Sequence, residues 1–108
     1  MAKEMKVAAL GVAWYTPESY PLCRAVMLDG NEFPETYEEW LRRALQLEQA
    51  TEQNGQLFVR AMIDPQQFPA WCTAHGHRPD RQGRIEFANV QARDAVLRGT
   101  RHGKESQQ

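Results

Sequence analysis

The chain of 108 residues contains no apolar run near the roughly 20 residues that cross a bilayer, so no membrane-spanning helix is expected. It is poor in cysteine. Cys23 and Cys72 stand alone, with no C-x-x-C pair, so neither a disulfide framework nor a paired-thiolate zinc site is encoded. It also lacks G-x-S-x-G, H-E-x-x-H, G-x-G-x-x-G and a phosphate-cradling glycine loop, which removes the usual hydrolase, metalloprotease and nucleotide-binding signatures. The seven glycines are scattered in a way that suits turns better than ligand approach. Net charge is small, at −1, which argues against a dedicated nucleic-acid binder.

What is present is ordinary globular composition. Hydrophobic residues make up 42% and charged residues 25%, too apolar for disorder at this net charge. Length implies a single α/β domain over residues 1–98, with the polar, aperiodic segment 99–108 expected to fray. The N-terminal lysines and short apolar run faintly resemble a signal peptide. The run ends at Trp14, Tyr15, Thr16 and Pro17 without a small-residue cleavage site, so it reads as a strand. With two isolated thiols, a reducing cytoplasm is the expected compartment.

Lys6 to Trp14 is almost wholly apolar and too short for a core helix, which predicts a strand buried on both faces. Thr16 and Pro17 predict a helical entry, then a short helix from about Tyr20 to Leu28. Thr36 and Glu39 have capping-box spacing and open a long helix. Tyr37, Trp40, Leu41, Ala44, Leu47 and Thr51 form its apolar stripe, and Asn54-Gly55 closes it. Gln56 to Ile63 predicts the second strand, with Leu57, Val59, Ala61 and Ile63 on one face. Asp64-Pro65 opens a third helix to about His75. Asp80 precedes a fourth, from Arg81 to about Leu97, with a core face of Ile85, Ala88, Ala92 and Val96.

The segments after the two strands match. Tyr15-Thr16-Pro17-Glu18-Ser19-Tyr20-Pro21 and Ile63-Asp64-Pro65-Gln66-Gln67-Phe68-Pro69 share a cap, a proline, an acid or amide, an aromatic and a second proline. Proline fixes φ at both places in both copies, so shared spacing implies a shared backbone path. The order is a tandem, pseudo-twofold β-α-α-β-α-α repeat, with halves at about 6–54 and 56–97. If each connection reverses the chain, the two strands form an antiparallel sheet. Two strands leave unpaired edges, so a homodimer that extends or packs the sheet is expected.

Chemistry-bearing residues are sparse. Cys72, His75 and His77, with Asp80 beyond, are a candidate metal site, since a thiolate and imidazole three apart on a helix can share an ion. The competing reading makes His75 a helix-end residue beside Gly76, and Cys72 a small buried hydrophobe. A thiol enzyme around Cys72 and His75 follows only if the thiolate is activated. Charge is uneven. Up to Cys72, six basic residues face ten acidic ones, a net −4, whereas from Thr73 seven face four, a net +3. Arg78, Arg81 and Arg84 are therefore candidates for an acidic partner, a nucleic acid among them. No catalytic residue and no cofactor are implied. The strand-first chain with Tyr37, Trp40 and Leu41 resembles small bacterial proteins, a resemblance that carries no residue roles. The expectation is a non-catalytic, self-associating interaction or adaptor protein that also has room for a protein partner. The alternatives are a nucleic-acid accessory factor and a small metal- or thiol-dependent enzyme.

Overall fold

In the computed structural model, the backbone is described for residues 9–105 and the side chains for 9–99. The elements run β1 (Ala9–Trp14), α1 (Ser19–Val26), a 3-10 turn (Gly30–Glu32), α2 (Tyr37–Gln53), β2 (Leu57–Met62), α3 (Gln67–Ala74) and α4 (Arg81–Glu105). Residues 6–8 of the expected first strand and the end of the expected tail, 106–108, lie outside the described residues. The fold is α+β, and none of its described helices is long and apolar enough to cross a membrane.

Local signals explain the element ends. Thr36 is extended, at φ −118° and ψ 151°, and its side chain accepts from the Glu39 N–H at 3.1 Å, which caps α2. After α2 and α3 the chain turns through Gly55 and Gly76, at φ 78° and 75°, a conformation glycine adopts without a Cβ clash. α1 begins at Ser19 and takes in Pro21 in its first turn, where a missing N–H leaves no intrahelical bond unmade. α4 passes the expected end at Leu97 and runs to Glu105, because the absence of an apolar stripe limits burial and not helicity.

The sheet corrects one expectation. β1 and β2 are parallel, from Ala9 opposite Leu57 to Trp14 opposite Met62. A reversal at each of the three connections, β1 to α1, α1 to α2 and α2 to β2, was expected to leave the strands antiparallel. However, α1 has eight residues, about 12 Å, and lies across the strand ends, while α2 has 17, about 25 Å, enough to run back along a strand. Only two reversals, into and out of α2, then separate the strands, which leaves them parallel. The twofold relation argued from antiparallel strands loses its basis with them.

The constant offset of 48 residues puts each β1 residue on the same face as its β2 partner. Leu10, Val12, Trp14 and Phe58 pack against Trp40, Leu41 and Ala44 of α2. Trp14 meets Trp40 and Phe58 edge to face, at ring-centroid distances of 5.0 and 5.8 Å. The opposite face takes α4, which comes so close that a Cβ on Gly11 would lie 2.2 Å from the Ala88 carbonyl oxygen. Gly83, in the first turn of α4, is equally committed: a Cβ there would lie 2.1 Å from the Arg78 oxygen and 3.1 Å from Cys72 Sγ. Both glycines serve close packing, where turns were expected.

A second core caps the C-terminal ends of the strands. Tyr15, Tyr20, Cys23 and Met27 meet Ile63, Phe68 and Cys72 there, joined by α1 and α3. The turns leading into these helices share two hydrogen bonds. Thr16 accepts from the N–H groups of Ser19 and Tyr20, both at 3.0 Å, and Asp64 accepts from those of Gln67 and Phe68, at 3.0 and 2.9 Å.

Candidate functional site

The expected chemical cluster is not assembled. Cys72 is fully enclosed on α3, and burial raises its thiol pKa. His75 lies outside the core. Its Nδ1–H donates to the Trp71 carbonyl at 2.8 Å, and its ring stacks on the Trp71 indole with centroids 4.2 Å apart. His77 lies parallel to the same indole at 6.1 Å. Among the described residues no group of three His, Cys, Asp or Glu side chains is placed to hold a metal ion. Cys23 is equally enclosed, and burial pushes its pKa up to about 11, so neither thiol is presented as a nucleophile.

The three arginines are also separated in role. Arg84 turns inward and forms a two-pronged ion pair with Asp29, at 2.8 and 2.9 Å, with its guanidinium 4.8 Å from the Phe33 ring centre. The hydrogen bonds from Arg84 hold the Asp29 carboxyl below the usual carboxylate range. The pair fastens the turn after α1 to α4, so Arg84 is a structural residue. Arg78 is exposed, and Arg81, also exposed, lines a groove together with Arg84. Asp80 caps α4 by accepting from the Gly83 N–H at 3.1 Å.

The feature that residue-by-residue reading missed is a groove of about 440 Å³ along the outer edge of β1. Gly11, Val12 and Ala13 form its floor. Trp40 and Leu47 of α2 make one wall, and Ile85 and Ala88 of α4 the other. Tyr15, Glu32, Phe33, Pro34, Arg81 and Arg84 complete the lining, so charged groups accompany the apolar walls. Leu47 is 44% exposed and Ile85 36%, so both walls present apolar surface to solvent.

Backbone direction shows what the groove offers. The Trp14 carbonyl accepts from the Ile63 N–H at 3.0 Å, so the Trp14 peptide groups point toward β2. Alternation along the strand points those of Val12 and Leu10 the same way and those of Ala9, Gly11 and Ala13 outward. Among the described residues no strand pairs with that edge.

The other edge of the sheet differs. Arg60 on β2 makes two hydrogen bonds to Glu48 of α2, at 2.9 and 2.8 Å, and its guanidinium lies 4.2 Å over the Trp14 ring. Those hydrogen bonds lower the Glu48 carboxyl pKa. A charged side chain on an edge strand is a common guard against strand addition. Residues 9–14 of β1 carry no charge at all, and that absence was the signal in the sequence. Comparison of the chain with protein-family models, curated proteins and solved structures found no match.

Proposed function

We propose that this chain is a non-catalytic, self-associating interaction protein whose binding element is the open edge of β1. One observation carries the reading: a strand whose outer backbone groups are unpaired among the described residues lies at the floor of a groove with largely apolar walls, while the other edge of the same sheet bears an ion-paired arginine. Unsatisfied N–H and C=O groups beside apolar side chains favour strand addition, in which main-chain hydrogen bonds supply affinity and the walls supply selectivity. The enclosed thiols and the stacked imidazoles support no competing chemistry at this site.

The matched entries to α1 and α3, and two strands in register at a constant offset, support reading the two strand–turn–helix units as tandem copies of one ancestral unit. On this reading the long helices diverged in placement, because α2 already occupied one sheet face and α4 took the other.

The test is mass in solution. Sedimentation equilibrium at about 100 μM, well above the Kd of a micromolar dimer, is expected to give twice the 12.4 kDa chain mass. A single-chain mass at that concentration contradicts the proposal.

A further inference from the structure

We infer that the partner at the β1 edge is a second copy of this chain, joined antiparallel about a twofold axis at Gly11 to give a four-stranded sheet β2-β1-β1-β2. The inference rests on the self-association reading and adds the surface, the direction and the register.

Over its described residues, Ala9–Trp14, the strand is fully complementary to itself in this register. The outward-pointing residues are Ala9, Gly11 and Ala13, centred on Gly11. An antiparallel copy placed with Gly11 opposite its own Gly11 sets Ala9 against the copy's Ala13, and Ala13 against its Ala9. All three are hydrogen-bonding positions, so each copy contributes three N–H donors and three acceptors. A shift of one residue would oppose outward groups to inward ones. A shift of two would leave one of the three outward residues without a match among the described residues. The intervening residues fit as well. Leu10 comes opposite the copy's Val12, and Val12 opposite its Leu10, on the α2 face, in the closely spaced pairs where apolar side chains touch. Leu10 and Val12 are only half-buried within one chain, so they have surface left to cover.

Charge on α4 agrees with the same axis. A Cβ on Gly11 would meet both Ala88 and Ala92, so Gly11 lies level with the middle of that span, near Val90. Glu86 lies four residues to one side of this level and Arg93 three to the other. They are seven apart and so share a helix face, and Arg93 lines a hollow beside Ala9. A twofold axis at Gly11 runs the two α4 helices antiparallel and brings Glu86 to within about 1.5 Å, along the helix axis, of the level of the copy's Arg93. Two opposite-charge pairs form, symmetrically, at the rim. A parallel arrangement would set each charge beside its like. The α4 residues along this edge, Ile85, Asn89 and Ala92, are short enough for the two helices to pack about 10 Å apart.

The test is a charge exchange with sedimentation or light scattering as the readout. Glu86→Arg and Arg93→Glu are each expected to weaken the dimer about tenfold, by placing like charges together twice per dimer, and the double exchange is expected to restore it. Ala13→Pro is a second arm. It removes an outward N–H and spares every bond to β2, so the chain is expected to keep its circular-dichroism spectrum and to lose the dimer. A dimer indifferent to all of these variants overturns this interface and leaves self-association standing on another surface. A wild-type chain that is monomeric at about 100 μM overturns both.

Discussion

The two edges of this small sheet have the same length and lie in one register, yet they meet solvent differently. β2 carries Arg60, clamped to Glu48 and laid over Trp14, so a charge and a long side chain stand beside its unpaired groups. β1 carries two alanines, a glycine, a leucine, a valine and, at its end, Trp14, and its neighbours on the helices include Leu47 and Ile85. The difference shows how a two-stranded sheet can be stable without being inert. Each strand is protected on its faces by a helix, α2 on one side and α4 on the other, but only β2 carries a charged side chain. The smallness of β1 on its α4 face has a separate cause, which is the close approach of α4 at Gly11. A strand shaped to admit a helix on one face is thereby left with little side-chain bulk to shield its edge.

Variants can break or sharpen this contrast. The largest effect is expected from Gly11→Val. The new side chain would start 2.2 Å from the Ala88 oxygen and 2.8 Å from the Ala88 carbonyl carbon, both backbone atoms that cannot swing away. α4 must lift from β1, at a cost of about 3 kcal/mol in urea unfolding. Asp29→Ala comes next. It leaves Arg84, whose side chain is 15% exposed, without its partner at the end of the groove, for a loss of about 2 kcal/mol.

The same pair has a pH signature. Because the folded Asp29 carboxyl titrates below its unfolded value, its stabilisation is complete above the unfolded pKa, about 3.9, and is lost as pH falls through the lower folded value. Acid titration of stability should therefore be flatter in Asp29→Asn than in the wild type. The smallest effect is expected from Arg60→Ala. Its ion pair with Glu48 is solvent-facing, with 47% and 19% of the two side chains exposed, so thermal unfolding should report a loss of about 0.5 kcal/mol that shrinks with salt. The loss in stability is minor, but the guard is gone, and β2 should then become prone to strand addition at high concentration.

Much of the local structure is legible in the sequence. Thr36 with Glu39 marks the start of α2, Gly55 and Gly76 mark the turns after α2 and α3, and alternation in β2 assigns its faces. These features depend on residues within a few positions of one another. Strand direction was missed because it depends on distance travelled: the short α1 does not cross the sheet and the long α2 does. The pairing of Arg84 with Asp29 joins residues 55 apart, and no local pattern signals it, so Arg84 read as a solvated cation. His75 and Cys72 are close in sequence but diverge in the structure, since the indole of Trp71 holds the imidazole outside while the thiol turns into the core. The groove itself needs three elements to exist. Only its uncharged floor, residues 9–14, could be read in advance.

The measurement closest to the central claim is amide hydrogen exchange along β1, resolved by residue and followed with concentration. In dilute protein, Gly11 and Ala13 should exchange freely, while Val12 and Trp14, which donate to β2, stay protected. In concentrated protein, Gly11 and Ala13 should become protected as well. Protection of Gly11 and Ala13 that is equally strong at every dilution would mean that something within a single chain already covers this edge, and would contradict the account.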